Sequence, residues 1–126
     1  MFESLTKHLP ELEKAEGYGR AVTKVEQAIY AFADEHPEYE LPQYANILER
    51  NGLEWSGRTM SEADVSQLDG QAVMALLLGA VRADRFCDGA LIGFFEDGSV
   101  RRWIARLREI DSACQGQVTD TPVMLG

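Results

Sequence analysis

The sequence has few of the residues that most often carry metal binding, disulfides or nucleophilic chemistry. In 126 residues it contains two cysteines, Cys87 and Cys114, and two histidines, His8 and His36. Neither histidine has a partner at metal-ligand spacing, and there is no paired-cysteine motif, so the sequence predicts no metal and no cofactor. Two thiols without a disulfide-dense pattern indicate a reducing compartment, and we therefore expect a cytoplasmic protein.

Basic residues and long apolar runs are scarce as well. The chain has 12 Lys and Arg against 21 Asp and Glu, which gives a formal net charge of −9. So acidic a surface repels phosphate backbones and disfavours nucleic-acid binding, except through a local basic patch. The longest apolar run, 72–81, is too short to span a bilayer, and the N-terminal residues lack the pattern of a signal peptide. We expect no membrane partner.

No strand pattern, repeat or low-complexity segment is present, whereas apolar residues recur at helical spacing through most of the chain. A composition of 45% hydrophobic and 26% charged residues is ordinary for a globular domain. The sequence therefore predicts an all-α fold, a single compact bundle of five or six helices. We expect one domain over 1–114 and an irregular tail over 115–126.

The individual helices differ in how clearly the sequence marks them. Val22, Val25, Ile29 and Phe32 predict an amphipathic helix that Pro37 ends. The other predicted segments are a stretch near Pro10 that is kinked or begins at that proline, a helix from Pro42 to Asn51-Gly52, and helices over 67–86, 90–96 and 99–112. Two apolar rows cover much of the helix over 67–86, so we expect it to lie at the centre of the fold.

The stretch between Asn51-Gly52 and the central helix is the least regular part of the chain. We predict an extended loop that places Trp55 in the core. Ser61-Glu62-Ala63-Asp64 resembles a capping box, which is followed by either a short helix or a false start, and Ser66-x-x-Asp69 is a second candidate start.

Residues 82–89, R-A-D-R-F-C-D-G, form the densest cluster of chemically interesting side chains. A ligand-binding or catalytic site here would use the candidate residues Arg82, Asp84, Arg85, Cys87 and Asp88. The alternative is structural. The arginines suit the negative end of one helix, Cys87 is a small buried hydrophobe, and Asp88-Gly89 begins the next helix. The structural interpretation gives a reason for every charged residue of the segment except Asp84.

The last predicted helix carries a cluster of four arginines, Arg101, Arg102, Arg106 and Arg108. Helical geometry places Arg101 and Arg108 beside one edge of the apolar stripe and Arg102 and Arg106 beside the other. Guanidinium groups can pair with acids of the same chain, or they can bind a phosphate or a partner's carboxylates. These four residues are the candidate partner surface.

The 82–89 segment, with the following F-F-E-D-G and W-I-A-R-L-R-E-I-D, resembles an uncharacterised bacterial family known as domain of unknown function 6508. Its members carry R-x-[DE]-R-F-C-D-G at the end of a helix. Upstream, Tyr18-Gly19 and the connector from Pro37 to Tyr44 also resemble the family, although Gly-Arg-Ala stands here where members have Gly-Glu-Trp. The resemblance covers roughly 4–112. It implies a compact soluble bacterial domain and no particular reaction.

Three functions are consistent with these observations. The first is a non-enzymatic protein-interaction module that uses the 82–89 segment and the arginine-rich helix, with Tyr18 and Tyr44 as contributors and with a protein partner or self-association. The second is a small-molecule-binding protein or enzyme with its site at Arg82, Asp84, Arg85, Cys87 and Asp88. The third is a specific nucleic-acid binder, which the net charge of −9 disfavours. We favour the first.

Overall fold

The fold was analysed in a computed structural model, which describes the backbone of residues 2–12, 18–84 and 89–125. The described chain is entirely helices, turns and loops, so the predicted all-α class is confirmed. The helices are α1 (Glu3–Thr6), α2 (Leu9–Leu12), α3 (Tyr18–Glu35), α4 (Tyr44–Arg50), α5 (Gly57–Glu62), α6 (Gly70–Ala83), α7 (Ala90–Glu96) and α8 (Ser99–Leu125). Short 3-10 turns lie at Pro37–Tyr39, Leu41–Gln43 and Val65–Gln67.

The centre of the fold is α6, as the two apolar rows predict. Every residue from 72 to 81 is buried, so the helix has no solvent-facing side over that stretch. It contacts α3, α4, α7, α8 and the turn at Leu41–Gln43. The helix begins at Asp69, whose carboxylate accepts a hydrogen bond from the amide of Ala72 at 2.9 Å.

The surrounding helices bury their apolar faces against this centre. Among the described side chains of α3, Val25, Ile29 and Phe32 are buried, and the helix ends at Glu35, two residues before Pro37, as predicted. In α8 the buried side chains are Val100, Trp103, Ile104 and Leu107. The spacing of both sets is that of one helix face, which explains why the sequence located these two helices.

The amino-terminal segment is anchored from both sides. The Phe2 ring is 1% exposed and stacks on Phe32 with a centroid separation of 5.3 Å. The Phe2 amide donates a hydrogen bond to Oδ2 of Asp111 in α8 at 2.8 Å. A turn between Thr6 and Leu9 divides the first helical stretch into two short helices. Pro10 lies in the first turn of the second helix, where its missing N–H costs no backbone hydrogen bond.

The structure corrects the prediction for the segment before α6. The helix α5 begins at Gly57, because the Ser56 hydroxyl accepts a hydrogen bond from the Thr59 amide at 3.3 Å, whereas Ser61 to Asp64 begins no α-helix. Trp55 is not in the core: it is 38% exposed, and its indole N–H donates to the Gly79 carbonyl at 2.9 Å. An aromatic residue in a loop gives no periodic signal, so its depth was not readable from the sequence.

The last helix also differs from the prediction. The sequence predicts an irregular tail from 115, but α8 extends to Leu125. The prediction of a tail rested on the lack of an apolar period, which indicates that a segment has no amphipathic face and does not by itself exclude a helical backbone. The proposed domain boundary at 114 stays a prediction.

Two glycines in α6 and α7 provide a test of how tightly the amino-terminal segment packs on the centre. A Cβ atom added to Gly70 would lie 2.5 Å from Cζ of Phe2, whereas a Cβ atom on Gly93 meets nothing within 4 Å. We expect Gly70→Ala to lower the free energy of unfolding by about 1–3 kcal/mol through overpacking. Gly93→Ala should raise it by about 0.5–1 kcal/mol, because alanine is the better helix former.

Chemical denaturation monitored by circular dichroism measures both variants against the unmodified protein. Equal stabilisation by the two substitutions would contradict the close contact between Phe2 and Gly70.

Candidate functional site

The segment 82–89 lies between α6 and α7, but only part of it is described. Arg82 stands in the last turn of α6, where its positive charge suits the negative end of the helix, as the sequence predicts. Arg85, Cys87 and Asp88 lie outside the described residues, so a site built from Arg82, Asp84 and these three stays a prediction.

Asp84 is the residue of this segment for which the sequence offers no explanation, and the structure gives it one. Its Oδ1 accepts a hydrogen bond from the amide of Leu91, in the first turn of α7, at 3.3 Å. Gly89, at the start of the same helix, has φ +86, in the left-handed region that glycine adopts readily. Asp84 therefore caps α7 from seven positions away, a separation at which no sequence pattern for capping applies.

The four arginines of α8 divide into two pairs, and one pair stabilises the fold. Nη2 of Arg102 donates to the backbone carbonyl of Ser61 at 2.5 Å and to the buried hydroxyl of Ser99 at 3.1 Å. Nε of Arg106 donates to the carbonyl of Leu68 at 3.0 Å. The two carbonyls belong to the segment that runs from the last turn of α5, which contains Ser61, to the loop before α6, which contains Leu68, and backbone acceptors there lack helical partners. These two side chains therefore tie α8 to that segment.

The other pair, Arg101 and Arg108, is exposed, and we call it the arginine edge. Neither guanidinium has a hydrogen bond or an ion pair with any described residue. The helical positions predict this division, because Arg102 and Arg106 lie along one side of the apolar stripe and Arg101 and Arg108 along the other.

A groove of about 350 Å³ separates α8 from the residues that precede α6, and we call it the α8 groove. Its walls are Ala63, Asp64, Val65 and Ser66 on one side and Arg102, Ala105, Arg106, Arg108 and Glu109 on the other. Arg101 of the arginine edge does not line it. The groove combines small apolar surface with three guanidinium groups.

The two carboxylates of the α8 groove are already engaged. Oδ1 of Asp64 accepts hydrogen bonds from the Ser66 hydroxyl at 2.6 Å and from the Ser66 amide at 3.1 Å. Both bonds favour the ionised form and lower the pKa of the Asp64 carboxyl, the hydroxyl bond contributing most. Glu109 lies 3.7 Å from Nη1 of Arg106, a loose ion pair. With three arginines and two acids, the groove is locally cationic on an acidic protein.

A second groove, of about 550 Å³, lies between α1 and α3 and includes Lys7, His8 and Lys24. No sequence pattern predicts it, because its lining combines α1 and the turn after it with residues of α3. His8 and Lys24 already interact with other residues of the fold, so fewer of the polar side chains in this groove are available to a ligand than in the α8 groove.

The described part of the chain offers neither a metal cluster nor a membrane-spanning helix. There, no group of three or more His, Cys, Asp and Glu side chains could hold a metal ion. No helix in the same residues has the length and apolar character that crossing a membrane requires. The predicted lack of a metal or a cofactor stays a prediction.

The division of the arginines gives a stability prediction. Arg106→Ala should lower the free energy of unfolding by about 1–2 kcal/mol, because the part-buried Leu68 carbonyl loses a charged donor. Arg101→Ala and Arg108→Ala should change it by less than about 0.5 kcal/mol. Denaturation curves of the three variants test this, and a large loss from Arg101→Ala would show that the arginine edge also supports the fold.

The capping role of Asp84 gives a second prediction about stability. Asp84→Ala should cost about 1 kcal/mol of stability, whereas Asp84→Asn should retain most of it, because an amide oxygen also caps a helix. Asp34→Ala serves as the control, since Asp34 is exposed on α3 without a hydrogen-bond or ion-pair partner among the described residues. Thermal unfolding of the three variants measures the difference, and an unchanged melting temperature for Asp84→Ala would refute the cap.

Comparison with known proteins places the chain in a family. Residues 45–113, more than half of the sequence, match a family of unknown function, DUF6508. No curated protein and no solved structure matched the chain. The matched region runs from α4 into α8 and contains the 82–89 segment and the α8 groove. The chain therefore belongs to the family of unknown function DUF6508.

Proposed function

We propose that this chain is a protein-interaction module that binds its partner through the arginine edge and the adjoining α8 groove. The observation that carries the proposal is the division among the arginines of α8. Arg102 and Arg106 are explained by the carbonyls they satisfy, whereas Arg101 and Arg108 are exposed and bond to no described residue.

Exposed arginines that pair with no described residue are informative on this protein because acids outnumber bases in its sequence. With 21 Asp and Glu against 12 Lys and Arg, an intramolecular ion pair is easy to form. A guanidinium with no intramolecular partner keeps its full set of donors for another molecule, and arginine is enriched at protein interfaces and among their hot spots.

The proposal shifts the emphasis within the predicted surface. The sequence analysis assigned partner contact to the 82–89 segment and to all four arginines together. Because Asp84 caps α7 and two arginines hold the segment before α6, we assign partner contact first to Arg101 and Arg108. The 82–89 segment then has a supporting role, in setting the start of α7.

The experiment is affinity capture from the native host with the full chain as bait. The double variant Arg101→Glu/Arg108→Glu should lose a protein that the unmodified bait retains. The matched control is Lys7→Glu/Arg50→Glu, which makes the same change in net charge at two exposed residues outside the α8 groove. The control should retain that protein. Circular dichroism of each bait verifies that all three are folded.

Two results would contradict this function. Capture of the same proteins by all three baits would show that the arginine edge is not the contact surface, and loss in both variants would show that only net charge matters. Sedimentation of the pure protein distinguishes a second copy of the chain from a different partner, since self-association would appear without any other component.

A further inference from the structure

The α8 groove has features beyond the charge of its lining. Arg102 and Arg106 are held by hydrogen bonds, whereas Arg108 lines the groove from the other side of the apolar stripe and has no partner among the described residues. A site whose donors are already positioned loses less conformational entropy when a ligand binds.

The acceptors that hold the two arginines leave most of their positive charge uncompensated. Arg102 bonds to a carbonyl and a hydroxyl, both neutral, and its bonds to described residues use only Nη2, so Nε and Nη1 have no partner in that part of the chain. Arg106 uses Nε for a neutral carbonyl and approaches one carboxylate at 3.7 Å through Nη1. Anchoring therefore orients these guanidiniums and keeps their ability to bind an anion.

The acids at the groove limit how much negative charge the occupant can carry. Asp64 and Glu109 both line it, and the hydrogen bonds from Ser66 keep Asp64 ionised. A polyanion such as a nucleic-acid strand would place further charges against these carboxylates and against the net charge of −9. An occupant with one or two negative charges escapes most of that repulsion.

The remaining lining is apolar and small. Ala63, Val65 and Ala105 present short side chains between the charged groups. This surface suits small apolar side chains that flank a charged one, and the volume of about 350 Å³ accommodates only a few residues. A short peptide segment with alternating acidic and small side chains has this composition.

We infer that the α8 groove binds a short segment of a partner protein in which one or two Glu or Asp carboxylates are flanked by small apolar residues. The inference rests on the proposed function and names the chemistry of the partner. Arg102 and Arg106 provide fixed donors, and Arg108 closes on the carboxylate from the solvent side.

The test is a nuclear magnetic resonance titration of the isotope-labelled full chain that follows backbone amides and arginine Nε–H groups. The probe is an acetylated, amidated Ala-Glu-Ala-Glu-Ala peptide, and Ala-Gln-Ala-Gln-Ala is the neutral control. The acidic peptide should give saturable shifts at Arg106, Arg108 and Ala105, and the neutral peptide should give much weaker ones. Equal responses to both peptides would overturn the inference.

Variants separate the groove from a general charge effect. Arg108→Ala should weaken binding of the acidic peptide about tenfold, the loss expected for one charge-assisted contact. Arg101→Ala, outside the groove, should change it by less than about twofold. Asp64→Asn should tighten it, because one repelling charge is removed, and a gain in affinity cannot result from unfolding. Equal losses from Arg101→Ala and Arg108→Ala would overturn the assignment to the groove.

Two further ligands identify the class of anion. Inorganic phosphate or a short DNA duplex that saturates the same arginine signals at lower concentration than the peptide would overturn the peptide assignment. Host-cell capture that depends on Arg101 and Arg108, combined with no response to the acidic peptide, would reject this inference and leave the proposed function standing. Peptide binding at the groove without any capture that depends on Arg101 and Arg108 would reject the proposed function, and with it the partner that this inference names, although the groove would still be an acidic-peptide site.

Discussion

The burial of α6 on all sides is the constraint on which the rest of the structure depends. A helix with no polar face from 72 to 81 must be covered by other elements all around its circumference. The covering is shared among α3, α4, α7, α8 and the turn at Leu41–Gln43, so each of these elements places its own apolar face toward the same axis. The start of the helix is covered as well, because Gly70 has no side chain and the ring of Phe2 packs directly against its backbone.

The position of the α8 groove follows from that arrangement. Because α8 buries Val100, Trp103, Ile104 and Leu107 against the centre, its arginines are left along the two edges of the buried stripe. The segment that leads from α5 into α6 runs past one of those edges with backbone carbonyls that no helix satisfies. Arg102 and Arg106 donate to those carbonyls, and the groove is the space left between α8 and that segment. The buried Trp103 shows how strongly apolar packing dominates here, since its indole N–H is buried without a hydrogen-bond partner among the residues that the structure describes.

The 82–89 segment illustrates how a cluster of charged residues can mislead. Arginine beside aspartate suggests a reactive site, yet the two described charged residues of the segment have structural explanations. Arg82 lies at the negative end of α6, and Asp84 caps α7. A segment that ends one helix and begins the next within a few residues favours charged side chains at both helix ends and a glycine where the chain changes direction. Arginine and aspartate are also the residue types of many catalytic and binding sites, so the two explanations look alike in the sequence.

The sequence by itself determined the helical class, the central place of α6, the amphipathic faces of α3 and α8 and the bounds of α7, because these depend on apolar spacing and on local helix signals. It also determined that the four arginines form two pairs, since helical angles depend on position alone. Only the tertiary structure decided which of the two pairs donates hydrogen bonds to the backbone of the fold. The carbonyls of Ser61 and Leu68 lie 41 and 38 positions from their arginine partners, and the Asp84 cap bridges seven. The exposure of Trp55 was decided in the same way, by the Gly79 carbonyl 24 positions away. Such contacts exist only after the helices have packed, and no local pattern encodes them.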